Sequence, residues 1–388
     1  MINQIFKLIW KKKRSNFLMM LEIFLAFLVL FAVSVLSVSN YQNYKNASGI
    51  DINNVWVAHM NYNTDTMPNL DLIRQRLKGY PEIASFSFSS NNVPFSFSTN
   101  STGLSNNGIE VHTDGIGVEP SYPALMGVSL TEGRWFTYED TIGKNCPIVI
   151  TSKLKEALFG NENAIGKIVS DGIPGEELTG NKIVGVVAYF KHKSDFQAEE
   201  NCMFRVADAQ RDKSALLIKL KSEQNADFEA RLAKDLVNIG KDWSVEIQHL
   251  DLMKSTKNQI ILIPMIILFI VCGFLVFNVA LGLFGVLFQN ISQRRGEIGV
   301  RRAMGATKRA IMQQIIGETA MIATLGLILG LFFAVQFPLL NIFDISSSVY
   351  VTAILIAVLA VYLLVLGCAY YPSRQASLVL PAEALRDE

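Results

Sequence analysis

The sequence predicts an α-helical membrane protein with four transmembrane helices and a large α+β extracytoplasmic domain, in which two βαβ units flank a strand-rich insert. Three observations carry that prediction. Half of the 388 residues are hydrophobic and only 18% are charged, against about 25% charged in soluble domains. The apolar excess is confined to four runs, Phe17–Ser39, Ile260–Phe288, Ile311–Phe337 and Val349–Tyr371, each longer than the ~20 residues that cross ~30 Å of hydrocarbon. Between the first and second runs, strand-like and helix-like periodicities alternate over a long polar stretch.

The chain opens with a basic segment over residues 1–16, which holds Lys7, Lys11, Lys12, Lys13 and Arg14. The first span follows at 17–39. Small residues in "SVLSVSN" resemble a cleavage site, but a run of this length outlasts the roughly 7–15 residues of a signal-peptide core, so it is predicted to stay as a span. Glu22, near one end of the span, is expected to pair with a neighbouring basic group at the interface.

The extracytoplasmic domain is assigned to residues 40–257. "VWVAHMNY" reads as a strand, "MPNLDLIRQRLKGYPEI" as a helix with Leu70, Ile73 and Leu77 on one face, and "ASFSFSS" as a strand. The pattern returns in "ALLIKLK", in "NADFEARLAKDLVNIGKD" with Phe228, Leu232 and Leu236 aligned, and in "WSVEIQHL". Two such units are expected to pack as a split βαβ sandwich. The insert over about 110–205 supplies a strand, a helix and a Gly-punctuated turn in "GKNCPIVITSKLKEALFGNENAIGKIVSDG", then a strong strand in "NKIVGVVAYFK".

Other features of this domain are read conservatively. "FGNENAIGK" lacks phosphate-loop chemistry, because Ile168 stands where Ser or Thr should be. Phe86, Phe88, Phe95 and Phe97 alternate with Ser, which predicts half-buried strands leading into a mobile loop, "STNSTGLSNNG". An exposed aromatic ridge is the competing reading. His59, His112, His192 and His249 show no metal-ligand spacing and are expected to be ordinary surface or packing histidines; no metal site and no catalytic residue is predicted. Cys146 and Cys202 face the oxidising side without any scaffold spacing, which leaves their pairing open.

The second span is assigned to 258–288. Its 29-residue apolar run measures ~43 Å as a helix, about 13 Å more than the hydrocarbon, so the helix either tilts or continues out of the bilayer. The third span takes 310–337, a short external loop 338–348, the fourth span 349–371 and the tail 372–388. Gly326, Gly330 and Ala334 form a small-residue stripe that lets another helix approach closely.

Orientation follows from short-loop Lys and Arg counts. Five basic residues precede the first span and six lie between the second and third, while "QFPLLNIFDISSS" has none. Both termini and the loop 289–309 are therefore predicted cytoplasmic in a multi-pass protein of the cell (inner) membrane, with membrane lipid around the spans. A net charge of +1 gives no global field for nucleic acid, which is excluded as a partner.

The loop is more than a charge signal. In "QRRGEIGVRRAMGATKRAI", Glu297 and Arg301 form an i,i+4 pair with the acid first, the favoured order. Ile298, Arg301, Arg302 and Gly305 share one helical side, "GAT" breaks the helix, and Thr307 is placed to cap the third span. This pattern resembles the coupling segment of the FtsX/MacB superfamily of ABC-transporter permeases. "LTEGRWFTYED" and "LFGNENAIGKIV" look like the MacB-type external core domain, and "YPSRQASLVLPAEALRDE", with Pro381 opening a short helix, looks like the family's tail.

The resemblance implies a non-catalytic permease that works by mechanotransmission. Residues Arg294, Arg295, Glu297, Ile298, Gly299, Arg301, Arg302, Ala303, Gly305 and Ala306 would form the ATPase-coupling surface. No ATPase signature is present, so no cofactor is expected on this chain, and ATP and Mg would sit on a separate cytoplasmic ABC ATPase dimer. A second permease chain, identical or paired, would complete the transporter, and a periplasmic adaptor is a further candidate partner. Efflux is the leading expectation; lipoprotein release of the LolC/LolE type and FtsX-like control of cell-wall hydrolases are the alternatives.

Overall fold

The computed structural model describes residues 13–61, 69–97, 99–142, 145–171, 180–207, 214–240, 243–340, 343 and 345–379. Two compact units emerge: Asn43–Ile261 forms the external domain, and Met1–Gln42 with Leu262–Glu388 forms the helical unit.

In the external domain β1 (Val55–Asn61), α2 (Leu70–Lys78), β2 (Ile83–Ser89), β10 (Ala215–Leu220), α5 (Ala226–Ile239) and β11 (Ser244–His249) make the split βαβ sandwich. Its strand order is β11-β1-β10-β2, antiparallel throughout. Both helices start on an Asn cap: Asn69 Oδ1 accepts from the Leu72 N–H at 3.1 Å and Asn225 Oδ1 from the Phe228 N–H at 3.1 Å. The period of two along each strand then divides the residues between two cores. Trp56, Ala58, Leu216 and Ile218 face Ile73, Leu77, Phe228, Leu232 and Leu236 of the helices, while Val55, Val57, Ala215 and Leu217 enter a second core with Ile116, Phe190 and Phe204. Each fully buried Leu, Ile or Phe stabilises by about 1.5–3 kcal/mol, which fixes the helices on that face.

The insert closes on itself. β3 (Ser101–Asn106), β4 (Ile109–Val118), β6 (Cys146–Thr151), β7 (Ile168–Asp171), β8 (Gly180–Val187) and β9 (Cys202–Val206) pair in the ring β4-β3-β7-β8-β6-β9-β4, a small closed barrel. Leu104, Ile148, Ile150, Val169, Ile183 and Met203 pack in one core with Leu154, Leu158 and Phe159 of α4 (Ser152–Phe159).

Here the expectation of a mobile loop at "STNSTGLSNNG" is corrected: the segment supplies β3 and the turn into β4. Asn107 and Gly108 form the two-residue turn, with φ of 48° and 84°. Two positive φ values are what a type I′ hairpin needs, and Asn-Gly tolerates them. The phenylalanines are not a ridge either. Phe88 and Phe95 are buried, and of the alternating series only Phe97 is exposed, with the Lys257 ammonium 4.4 Å from its ring centre. Cys146 is exposed and Cys202 buried, both as free thiols.

Among the described residues, four helices are long and apolar enough to cross a membrane. They are α1 (Lys13–Lys45), α6 (Leu250–Ser292), α8 (Lys308–Ala334) and α10 (Ser347–Ser377). The second span is thus the middle of a 43-residue helix, ~65 Å long at 1.5 Å per residue. Met19, Ile23, Phe27 and Phe31 of α1 pack with Ile322, Ala323 and Leu327 of α8, and Ala353, Ala357, Val361 and Val365 line the facing side of α10. The small residues of α8 meet α1: a Cβ at Gly330 would lie 2.3 Å from Phe27 Cδ1, and one at Gly326 3.0 Å from the Met20 carbonyl oxygen. The basic groups expected to pair with Glu22 fall outside the described side chains. The Glu22 carboxylate lies against Gly282 of α6, where a Cβ would come within 2.9 Å, and its Oε2 has no hydrogen-bond partner among the described residues. Pro381 and the predicted tail helix fall outside the described residues.

Candidate functional site: the segment between the second and third spans

Residues 295–303 form α7, Arg295–Ala303, a nine-residue helix. Ile298 anchors it in a small core with Ile311 and Ile315 of α8 and Ala376 of α10. Gly299 is buried beside it and Ala306 is half-buried. The helix ends at Ala303, and Gly305, with a φ of +96°, reverses the chain. Thr307 Oγ1 then accepts from the Ala310 N–H at 3.2 Å and starts α8.

Polar side chains lock α7 onto the first turns of α8. Arg294 donates to Glu318 Oε2 at 2.6 Å and to Glu297 Oε2 at 3.0 Å. Arg301 donates to Glu297 Oε1 at 2.6 Å and to Gln314 Oε1 at 2.6 Å. Gln314 donates to Glu318 Oε1 at 2.9 Å, which closes a five-residue ring. Two guanidinium groups face two carboxylates, so the ring is electrically neutral. Burial opposes the charge of Arg294, yet hydrogen bonds to Glu318 and Glu297 outweigh it and hold the guanidinium above its usual range. The ring borders a cleft with apolar walls that include Met19, Leu287 and Ile322.

The ten residues singled out from sequence therefore fall into distinct groups. Arg294, Glu297 and Arg301 join the ring, with Glu297 still exposed; Ile298 and Gly299 are core; Arg295, Ala303 and Gly305 are exposed; Arg302 is half-buried. The sequence reasoning missed Val300 and Met304, which with Ala303 make an exposed apolar patch, Met304 being 76% exposed. It also missed Gln314 and Glu318. Their spacing with Ile311, Ile315 and Ile322 at intervals of three and four was a usable signal that the face carrying them packs inward.

A second polar cluster lies in the external domain, where His192 contacts Asp114 and Cys202. His192 is thus more than a packing residue.

Four apolar spans, an external α+β domain and an ordered basic helix between two spans define a permease-type membrane protein. Residues 17–235 match the MacB-like periplasmic core domain, and residues 266–378 match the FtsX-like permease C-terminal domain. The chain belongs to the MacB/FtsX family of ABC-transporter permeases. It is 22% identical over 219 residues to the uncharacterized ABC transporter permease YknZ of Bacillus subtilis, covering 55% of this chain and 54% of that protein. It is 26% identical over 283 residues to the macrolide export ATP-binding/permease protein MacB of Pasteurella multocida, covering 70% of this chain and 42% of that protein. The chain thus spans about half the length of these curated relatives. Among solved structures, the periplasmic region of MacB from Actinobacillus actinomycetemcomitans aligns with 55% of this chain and 97% of its own, at 18% identity and a TM-score of 0.39.

Proposed function

We propose that this chain is the permease subunit of a MacB-like ABC transporter, and that residues 294–306 dock onto a separate cytoplasmic ATPase dimer that binds the ATP and Mg. One observation carries the reading: the closed ring of Arg294, Glu297, Arg301, Gln314 and Glu318. A loop whose only task is to fix topology needs positive charge, not a helix bolted to the next span by five hydrogen-bonded side chains. Bolted in this way, α7 passes a displacement at its surface directly to α8 and turns Val300, Ala303 and Met304 outward. The apolar patch is the contact, and the exposed Arg295 gives it electrostatic register.

On this reading both termini are cytoplasmic, a second permease chain completes the membrane part, and ATP-driven closure below reshapes the external domain above. The continuous helix Leu250–Ser292 suits that task, since it starts with Leu250 in the core of the external domain and ends two residues before Arg294. This chain would then need no catalytic group of its own. Macrolides, from the name of the Pasteurella relative, are the first substrate class to try. Lipoprotein release and hydrolase control remain the alternative outputs of the same machinery.

The test is co-purification of the ATPase subunit from native membranes, with ATPase activity measured alongside. Capture by the wild-type chain and loss of capture by Met304→Glu is the expected result. Equal capture by both, with intact insertion, overturns the docking role. What else is captured sorts the output: a periplasmic adaptor for efflux, a second kind of permease chain for lipoprotein release, a hydrolase for wall control.

A further inference from the structure

Three buried side chains of the external domain, distant in sequence, converge on one point. β9 pairs in parallel with β4 so that Cys202 lies opposite Asp114. His192 comes from the connection between β8 and β9, with its ring stacked on Phe190 at 5.5 Å. Exposures are 4% for Asp114, 2% for His192 and 0% for Cys202. His192 Nε2 is 3.0 Å from Asp114 Oδ2 and Nδ1 is 3.4 Å from Cys202 Sγ. Ser101 donates to Asp114 Oδ1 at 2.6 Å, and Lys193 Nζ lies 3.0 Å from Asp114 Oδ2 while also pairing with Glu200.

We propose that Asp114, His192 and Cys202 form a binding site for a zinc-class divalent cation. The donor set comes first. One sulfur, one imidazole nitrogen and carboxylate oxygen are what Zn²⁺ takes, and the sulfur discriminates against Mg²⁺ and Ca²⁺. Distance comes second. The three donor atoms lie within 4.8 Å of one another. Bonds of about 2.0–2.3 Å to a tetrahedral zinc set ligand atoms roughly 3.3–3.7 Å apart, and the sulfur–nitrogen separation of 3.4 Å already matches. Asp114 and Cys202 address opposite ring nitrogens, so loading requires one of the two side chains to swing to the other's nitrogen. That is a rotamer change within a cluster this tight.

Charge comes third. With His192 counted as neutral, two carboxylates face one ammonium (Lys193), which leaves one negative charge in excess, shared between Asp114, with its side chain 5% exposed, and Glu200, with its side chain 37% exposed. A divalent cation that displaces the Cys202 proton to solvent brings the cluster to neutrality. Lys193 then stays as the outer partner of Asp114, and Glu200 or water is available for the fourth position. The ion would staple β4, β9 and the connection before β9 at the seam that closes the barrel.

The full chain in detergent, freed of metal by chelator, is titrated with Cd²⁺ and separately with Zn²⁺. The expected result is one equivalent per chain, a thiolate-to-cadmium charge-transfer band in the wild type, and a rise in the melting temperature on Zn²⁺ addition. Cys146→Ser, which removes the exposed thiol, should keep all three. Cys202→Ser should lose the band, and His192→Gln should weaken binding at least tenfold. The wild-type band needs no variant to fold, so its absence, or its persistence in Cys202→Ser, overturns the site. A cluster neutralised instead by a protonated His192 gives no band and no Zn²⁺ response, and that outcome overturns the site as well.

Discussion

Two of the hydrogen-bonded polar clusters among the described residues have opposite internal logic. The ring between α7 and α8 contains two Arg and two Glu, and its members are 3, 4, 13 and 24 residues apart along the chain. The external cluster joins residues 10 and 78 apart and, with His192 counted as neutral, sets the carboxylates of Asp114 and Glu200 against the single ammonium of Lys193. A balanced ring is complete in itself and serves to hold two helices in one orientation. An unbalanced buried cluster has room for one more positive charge. The difference separates a mechanical joint from a ligand site, and it can be tested from both ends.

The largest effect is expected from Glu318→Ala. It leaves Arg294, whose side chain is 19% exposed, facing an empty position while Gln314 loses its acceptor. Removing one partner of a largely buried pair costs about 3–5 kcal/mol, and the damage should be local to the helical unit. Thermal unfolding in detergent should fall by many degrees while the external domain keeps its own transition. Glu318→Gln, which keeps an acceptor for Arg294 but cancels the charge, should recover part of the loss. If neither variant shifts unfolding, the ring holds nothing.

The external counterpart is Asp114→Asn, with a loss of about 1–3 kcal/mol as Lys193 and His192 lose their charged acceptor. Its signature lies in pH. Burial opposes ionisation of Asp114, yet hydrogen bonds from His192, Ser101 and Lys193 outweigh it and hold the carboxyl well below the usual carboxylate range. A carboxyl lowered in the native state stabilises fully above its unfolded value of about 3.9 and loses that contribution as pH falls through the native value. The wild-type domain should therefore lose stability steeply below about pH 4, with a shallower fall in Asp114→Asn. Parallel profiles would count against the cluster.

The contrast also explains what the sequence could reveal. Helix-forming pairs such as Glu297 and Arg301 sit one turn apart, so their bond at 2.6 Å was legible from spacing alone. The split βαβ sandwich was legible for the same reason, since each unit is local and carries its own caps at Asn69 and Asn225. The barrel was not, because the β4–β9 pairing that closes it joins Asp114 to Cys202 across 88 positions of chain. Spacing rules look for metal ligands along one stretch, and a site assembled by sheet pairing leaves no such trace. The hairpin at Asn107-Gly108 is different: Asn-Gly is a local hairpin signal that the sequence carries in plain view.

Gly305→Val tests the turn that ends α7, with a smaller effect. A Cβ there would meet nothing within 4 Å, so crowding is not the issue. The φ of +96° is, because a β-branched residue in that region costs on the order of 1–3 kcal/mol. Unfolding should drop modestly, and Gly305→Asn, which tolerates positive φ better, should recover most of it. A loss of equal size for both would point to a role for the bare backbone in docking.

Met304→Glu should have the smallest effect on stability and therefore separates holding from touching most cleanly. The side chain is 76% exposed and belongs to neither the Ile298 core nor the ring. A substitution at such a site is expected to move stability by no more than about 0.5 kcal/mol. The added carboxylate follows Arg301 by three positions, a mildly favourable spacing within a helix, although the helix proper ends at Ala303. Insertion, topology and unfolding of both units should match the wild type. At a docking surface the same change is severe, because it buries a charge without a partner where the Met had filled an apolar contact. ATPase capture should fall at least tenfold with the ring intact, the inverse of Glu318→Ala, which unsettles the ring and leaves the patch chemistry unaltered. If the two variants lose capture and stability in the same proportion, the joint and the contact surface are one feature, and the division of α7 into an inward and an outward face fails.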